Sequence, residues 1–489
     1  MIGQPGKAAV ISQSLIEFAL EPLLSTTAAN DGTLLCIGVV PTKIRERIAS
    51  AGYDIICLTD PVSGGWKAAL QLPPPGLLSA IVVATPCAVD SDPLTLLGNA
   101  QDLLAPGGLF TVALEICRDL IADDGGIAHL MDHWSNIAAK LGFSLTAVRE
   151  PAEVGSSQRP ALLICAIKVS TPRWRLGGTA DVQFEDVARL FRLAFNTEAN
   201  ADLWQWKYGE DRGRAVVAFR DGVLVAHYGG MLRRIQVFGR SGTALQICDV
   251  MVDPAERGVM TKRSLMFITA STFLETHLGY FGHDLGYGFP HRRAMQVGER
   301  LGLYAEIASM AEVRWSTHSG RPRLGTRVLH LDLSHPRHRD AVGRLWSQMR
   351  RDLHDAILVD RDWQYLQDRY VRHPVNHYEM LLVVSRFTAQ PIGVMVLRRE
   401  QEKVEFLDLV APLERIPTLI DQARRIAGLR GGAMLYTWIT QHQARLLTAT
   451  GGTLGTLDVS IPANVWIPGL SVSSVKDRWF LMSGDTDFR

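Results

Sequence analysis

Two stretches of this chain follow one pattern. The first, "ANADLWQWKYGEDRGRAVVAFRDGVLVAHYGGML", gives an aromatic-rich helix with a basic-aromatic end, then a strand, a short turn and another strand. The second, "RDWQYLQDRYVRHPVNHYEMLLVVSRFTAQPIGVMVL", gives the same elements in the same order. Each runs on to a long strand closing near a proline, "LQICDVMVDP" and "VEFLDLVAP". Each then continues to a helix and one more strand, "HDLGYGFP" and "AMLYTWIT". An internal duplication is the economical reading. It restricts the chain to α/β architectures, because both helices and strands recur inside the repeated unit.

At 489 residues the chain exceeds one ordinary core. The Pro- and Gly-containing stretch "STPRWRLGGTA" reads as a linker, and "HSGRPRLGTR" as a second break. Three domains are expected, spanning residues 1–170, 171–328 and 329–489. The first alternates strands and helices: "TLLCIGVV", "TKIRERIASAG", "YDIICLTD", "LLSAIVVAT", "PLTLLGNAQDLLAPGG" and "LFTVALEI". Such alternation implies a parallel sheet covered on both faces.

Hydrophobic residues make up 47% and charged residues 21%, which excludes a disordered chain. No apolar run is long enough to span a bilayer. The N-terminus lacks the basic-then-apolar pattern of a secretory signal. The cysteines at 36, 57, 87, 117, 165 and 248 form no CxxC pair and no metal-ligand spacing, so no metal is expected. Reduced thiols and a cytoplasmic location follow as expectations. Acidic residues exceed basic ones up to about residue 170, and basic residues exceed acidic ones beyond it. A basic half suits an anionic ligand such as a nucleotide, an acyl carrier protein or RNA. No basic-aromatic stripe is present, so nucleic acid is not expected.

Within residues 30–170, "LLCIGVV", "GYDIICLTD", "LLSAIVVAT" and "DLLAPGGLFTVALEI" together resemble a class I methyltransferase with its Rossmann-like fold. The resemblance implies a glycine-rich loop after the first strand, lying against S-adenosylmethionine, and an acid ending the second strand on its ribose. Asp60 holds the acid position. In the loop only Gly38 remains, with Val39, Val40 and Pro41 where small residues permit close approach. S-adenosylmethionine is therefore not expected to bind, and the domain reads as structural.

The repeated unit resembles the GNAT N-acyltransferases, best over residues 171–328. "DVMVDPAERG" looks like the family's fourth strand, proline and Arg-Gly entry to the pyrophosphate loop of acyl-CoA, and "MTKRSLMFITASTFLE" like the helix behind it. "GFPHRRAMQVGERLGLY" is similar to a later stretch in which an Asn opens a helix, a Tyr lies near its end and a Gly-aromatic pair follows. Here His291 takes the Asn position, Ala294 fits, Gly298 replaces the Tyr, and Gly302 and Leu303 take the last pair. The pairing of "LWQWKY" with "GFPHRRA" resembles a bacterial branch of the family.

The resemblance implies acetyl-CoA or another acyl-CoA as donor and a small-molecule or sugar amine as acceptor. Val250, Met251 and Val252 would pair with the pantetheine amides in the manner of an added strand. Arg257, Gly258, Val259, Met260, Thr261, Lys262 and Arg263 would cradle the pyrophosphate at a helix N-terminus. Lys262 and Arg263 suit such a place only beside an anion; a solvated helix start is the other reading. Met260 is expected to crowd the loop. Asp249 stands where a base is useful, or as a strand residue paired to a nearby arginine. Tyr304 is a candidate to protonate the leaving thiolate in place of the missing Tyr, or a packed strand aromatic.

Residues 329–489 lack the cradle: "LERIPTLIDQ" has no glycine and carries Pro417, and Leu447 stands at the thiol-protonating position. This copy reads as structure or as a wall of the acceptor site, and is expected to bind no CoA by itself. Near the end, Asp485 and Asp487 flank a possible seat for a substrate ammonium, or simply form a polar terminus. The leading expectation is an acyl-CoA-dependent N-acyltransferase. A scaffold that has lost its chemistry and an aminoacyl-tRNA-dependent transferase are the alternatives.

Overall fold

The computed structural model describes residues 32–37, 40, 42–58, 78–88, 92–115, 125–149, 161–279, 282–321 and 324–488. The chain divides into two compact units, Met1–Asp181 with Val217–Leu224, and Val182–Val216 with Val225–Arg489. It is α/β with several mixed sheets.

The first unit holds β1 (Gly32–Ile37), α1 (Thr42–Ser50), β2 (Tyr53–Leu58), β3 (Leu78–Ala88), α2 (Pro93–Leu103), β4 (Leu104–Glu115), α3 (Gly126–Lys140), β5 (Phe143–Arg149) and β6 (Ala161–Lys168). The apolar runs form strands because their side chains are buried; Leu34, Ile37, Ala80 and Ile81 are fully inaccessible. On α1, Ile44 and Ile48 are four apart and both buried, so one helical stripe meets the core. Asp92 caps α2 by accepting from the Leu94 N–H at 2.9 Å, with Pro93 in the first turn. At the other end, buried Lys168 donates to the carbonyls of Gln101 and Leu104, both at 2.6 Å, which satisfies groups the helix leaves open.

The strand order is β2-β1-β3-β4-β6-β5. Strands β1 to β4 are parallel, but β6 runs antiparallel to both β4 and β5. The expected all-parallel sheet is therefore mixed at one edge. A further correction concerns "LLAPGG": α2 ends at Leu103, and the two glycines lie within β4. Gly38, Val39, Pro41 and Asp60 lie outside the described residues, and Val40 is buried.

Two strands, β7 (Arg175–Gly178) and β8 (Gly213–Arg220), frame α4 (Phe184–Phe195) and α5 (Ala201–Tyr208) in sequence. Next come β9 (Val223–Val237), which enters the second unit at Val225, and then β10 (Arg240–Val252), α6 (Leu265–His277), β11 (Leu285–Tyr287), α7 (Arg292–Arg300), β12 (Tyr304–Ser316), β13 (Thr326–His330), α8 (Pro336–Asp352) and β14 (Ile357–Val359). The second unit continues through β15 (Glu379–Ser385), β16 (Pro391–Glu400), β17 (Lys403–Val410), α9 (Ile416–Leu429), β18 (Met434–Thr440), β19 (Thr453–Asn464) and β20 (Trp479–Phe480).

The duplication is visible in the pairing. β10 pairs with β11 in parallel only at Ala244–Gln246, and β17 pairs with β18 in parallel only at Lys403–Glu405. Three residues beyond each parallel stretch stands an aspartate, Asp249 and Asp408. Next to each aspartate one extra residue breaks the register with the antiparallel neighbour. A bulge of this kind bends its strand, and the parallel pairing with β11 or β18 stops before it, which leaves a slot on that side.

The copies are not separate bodies, however. One sheet runs β11-β10-β9-β14-β20, and the other β13-β15-β16-β17-β18-β12-β19. β12 belongs by sequence to residues 171–328 but pairs with β18 and β19 of the other copy. β14 and β20 belong to residues 329–489 but extend the sheet of the first copy. Strands from either side of residue 328 thus share each of these sheets. Among the described residues no helix is long and apolar enough to cross a membrane.

Candidate active site

The bulge in β10 lets the chain carry a charged side chain into a cavity. Cys248 pairs with Gly229 and Met251 with His227, leaving Asp249 and Val250 out of register. Asp249 takes the left-handed conformation, φ 50°, which Asp tolerates better than most residues. The cavity it faces has a volume of about 690 Å³. Apolar side chains from α4 and α5 (Phe191, Phe195, Leu203 and Trp204) meet Met251, Met266 and Phe289 there. Such a concave apolar space with a few convergent polar groups is the form of a small-molecule site.

Those polar groups centre on Lys207. Its ammonium lies 3.0 Å from Asp249 Oδ1, 3.2 Å from Asp249 Oδ2 and 2.8 Å from Asp487 Oδ2. The Tyr208 hydroxyl donates to Asp249 Oδ2 at 2.9 Å, and His227 Nδ1 contacts the Asp249 carbonyl at 2.7 Å. Burial raises the Asp249 carboxyl, but Lys207 and, after it, His227 pull it down further, so it sits below the usual carboxylate range. Burial lowers the Lys207 ammonium, but Asp487 and Asp249 overcome this and hold it above the usual lysine value. The Tyr208 hydroxyl and Cys248 thiol are both pushed up, chiefly by burial.

Lys207 and Tyr208 were not read as site residues. Their signal was present, since the repeated basic-aromatic helix end is Lys207-Tyr208 in one copy and Arg369-Tyr370 in the other. The second pair does the matching work: Tyr370 donates to Asp408 Oδ2 at 2.8 Å. The partner of Asp249 is a lysine from α5, where the sequence suggested an arginine.

Gly229 makes room for this arrangement. A Cβ there would lie 2.2 Å from the Tyr208 hydroxyl and 2.6 Å from His227 Cε1. Gly229→Ala is therefore expected to push Tyr208 off Asp249 and to cost about 1–3 kcal/mol as an overpacked site. Urea unfolding checks it; an unchanged midpoint would show that Tyr208 moves freely.

Tyr304 lies at the same cavity, with its hydroxyl buried and without a hydrogen-bond partner among the described residues. A Cβ at Gly298 would lie 2.3 Å from Tyr304 Cδ2. The ring thus fills the space that a side chain at 298 would need. Burial pushes its hydroxyl up. His291 also reaches the cavity and caps α7, accepting from the Ala294 N–H through Nδ1 at 3.2 Å.

Among the described residues no strand pairs with β10 on its β11 side past Gln246, so the stretch Val250 to Val252 keeps an open edge toward the slot. After Pro254–Glu256, residues 257–263 form an exposed loop. The helix begins later than the sequence suggests: Ser264 caps it and Leu265 is its first residue, so Lys262 and Arg263 stand in the loop ahead of the cap. Met260 is 47% exposed and Val259 84%, so Met260 turns outward and does not crowd the loop. Among the described residues nothing lies within 4 Å of a Cβ at Gly258. Arg257 donates to the Val252 carbonyl at 3.0 Å, and Lys262 lies 5.2 Å from the centre of the Trp466 ring.

The equivalent slot of the second copy is filled by the chain itself. Thr440 N–H donates to the Leu481 carbonyl at 3.0 Å, Ile439 bridges Met482, and Trp438 N–H donates to Ser483 Oγ at 2.8 Å. Gly484 packs on the bulge, where a Cβ would lie 2.1 Å from the Tyr370 hydroxyl. Asp485 is buried and paired with Arg361 at 2.6 Å, and Arg361 also holds Asp408 at 2.7 Å. Pro417 lies in the first turn of α9 and Leu447 is fully buried. Among the described residues no cluster of three His, Cys, Asp or Glu side chains is arranged for a metal ion.

Residues 178–295, which carry the bulged strand, the loop and α6, match the family model of the acetyltransferase (GNAT) domain. The match supports a transferase that moves acyl groups, the enzyme class the sequence motifs imply. Solved structures similar to the chain include a probable N-acyltransferase from Enterococcus faecalis, at 13% identity over 60% of this chain and 73% of that one, with a TM-score of 0.48. Another is N-myristoyltransferase of Saccharomyces cerevisiae with bound myristoyl-CoA, at 10% identity over 63% and 84%, with a TM-score of 0.40. A tandem GNAT protein from the clavulanic acid biosynthesis pathway matches at 10% identity over 61% and 100%, with a TM-score of 0.39. A search of curated proteins found no match.

Proposed function

We propose that this chain is an acyl-CoA-dependent N-acyltransferase, with the donor on β10 and the 257–263 loop and an amine acceptor in the adjoining cavity. The observation that carries the reading is the bulged strand whose open edge meets both that cavity and the exposed cationic loop. The residues fit the donor. Val250 to Val252 offer backbone groups to pantetheine amides, and Arg257, Gly258, Lys262 and Arg263 offer charge and close approach to a pyrophosphate, with α6 behind them. Val259, Met260 and Thr261 complete the loop backbone.

Acyl-CoA supplies the thioester. The chain's residues hold the amine and move protons. In the transfer the amine nitrogen forms the amide bond and the carbonyl–sulfur bond breaks. Both oxygens of Asp249 are engaged by Lys207 and Tyr208, and its carboxyl is held acidic, so a water beside it takes the amine proton. Tyr304, with its unpartnered hydroxyl, delivers a proton to the departing sulfur and recovers one from that water. His291 orients α7 at the edge of the cavity.

We also propose that the first unit is a methyltransferase-type Rossmann-like domain without S-adenosylmethionine. The reversal of strand order between β1 and β3 supports the fold, since ligands of such sheets bind at that switch point. The second copy then serves as structure, with its slot closed by residues 481–485.

Thermal unfolding against CoA concentration tests the main reading. Wild type is expected to melt higher with millimolar CoA. Lys262→Ala is expected to weaken CoA about tenfold, as a charge-assisted phosphate contact is worth roughly 1.5–3 kcal/mol, with the unliganded protein no less stable. No shift for wild type would remove the donor site and leave a binding protein.

A further inference from the structure

The sequence offers two acids near its end, and the structure treats them differently. Asp485 is 2% exposed and its Oδ2 takes both the Arg361 guanidinium and the Met482 N–H. Asp487, two residues on, lines the cavity. Its partner there is Lys207, through Oδ2. Lys207 already serves Asp249. Two carboxylates therefore share one ammonium at the floor of a largely apolar cavity. His227 stands beside them, and burial lowers its affinity for a proton. Among the described residues two acids thus meet a single lysine here, and an acid in a buried place is costly to ionise unless a cation matches it.

The rest of the lining limits what that ligand can be. Glu198 is spoken for by Arg192 at 2.7 Å, and the Asn200 side chain caps α5 by accepting from Leu203 N–H at 2.9 Å. Thr197, the Asn200 amide nitrogen and the second nitrogen of His291 remain for hydroxyls, against the larger apolar surface of Phe191, Phe195, Leu203, Trp204, Phe289 and Phe488. A desolvated hydroxyl without a partner is costly. Tyr304 lines the same cavity, and its hydroxyl is buried with no hydrogen-bond partner among the described residues.

We propose that Asp487, carried into the cavity by the C-terminal segment, receives the ammonium group of the acceptor, and that the acceptor is a primary amine on an apolar body and not an amino sugar. The inference rests on the acyltransferase reading for the word acceptor, but the cation site stands on its own geometry. It gives the C-terminal segment two roles. Residues 481–485 fill the slot of the second copy, and that anchorage delivers Asp487 to the first.

The test uses the full-length protein and three probes: 2-phenylethylamine, its neutral analogue 2-phenylethanol, and glucosamine. Calorimetric titration is expected to show the amine binding at least tenfold more tightly than the alcohol, with glucosamine weaker than both. Asp487→Asn is expected to lose that tenfold for the amine and nothing for the alcohol, and Asp487→Glu to restore part of it. The CoA melting shift is expected to be the same in wild type and Asp487→Asn. Equal binding of amine and alcohol by wild type overturns the proposal without any variant, and so does glucosamine binding best. An unchanged amine affinity in a folded Asp487→Asn also overturns it. Amine binding that depends on Asp487 in a protein that ignores CoA would keep the cation site and sink only the acyltransferase reading.

Discussion

Lys207→Met is expected to destabilise the second unit by about 3–5 kcal/mol, the usual cost of removing one partner of a buried ion pair. The lysine side chain is 7% exposed and its two carboxylate partners 12% each, so solvent screens them little. Without it, Asp249 and Asp487 face one another with no cation between them. The pH dependence separates this from simple loss of packing. In wild type the depressed Asp249 carboxyl contributes stability that is present above the unfolded carboxylate value, about 3.9, and is lost as pH falls below it. The raised Lys207 ammonium contributes stability that is complete below about pH 10.4 and is lost only at higher pH. The wild-type contribution is thus flat between those limits. In Lys207→Met, protonation relieves the repulsion, so the deficit should shrink as pH falls from 7.5 to 4.5. Urea unfolding at the two pH values measures it. A deficit under about 1 kcal/mol, or one that does not change with pH, would show that the cluster is solvated.

Arg361→Met is expected to cost at least as much, about 3–5 kcal/mol, because Arg361, Asp408 and Asp485 are all fully buried. The loss should be structural as well as energetic. Arg361 ties Asp485 of the C-terminal segment to Asp408 of β17, and Tyr365 and Tyr370 also donate to Asp408, at 3.2 and 2.8 Å. Cutting the tie should release residues 481–488 and withdraw Asp487 from the cavity of the first copy. Burial pushes the Asp485 carboxyl up to about 6 against the pull of Arg361. A raised acid contributes stability present below its unfolded value and lost as pH rises through about 6. Release should therefore be more complete at pH 7.5 than at pH 4.5. Hydrogen exchange of the Thr440 N–H, which is bonded to the Leu481 carbonyl, reports it. Wild-type protection in the variant would mean that the segment is held by Trp479 and Phe480 alone.

Part of the first copy's candidate site is legible in the sequence. A strand ending at a proline, followed by Arg257 and Gly258, is a local pattern, and local patterns survive folding. Asp249, Val250, Met251, His291 and Tyr304 do converge on one cavity. The helix start was misplaced because "MTKRSL" has no break in helix propensity, and only the Ser264 cap settles where the first turn begins. Lys207 was missed because its partners lie 42 and 280 positions away in the chain. No spacing rule links residues that far apart.

The sequence by itself determined the repeated order of helices and strands, the aspartate in each long strand, and the basic-aromatic pair that ends each preceding helix. These follow from periodicity and from side-chain chemistry that acts over a few residues. Only the tertiary structure decided that β12 joins the sheet of the other copy and that β14 and β20 extend the first. A strand's alternation fixes which face is buried but not which neighbour it meets. Only the tertiary structure, too, divided the labour between Asp485 and Asp487. They stand two residues apart, and what separates them is which cation the fold brings: Arg361 deep in the second copy for one, and Lys207 at the open cavity of the first for the other.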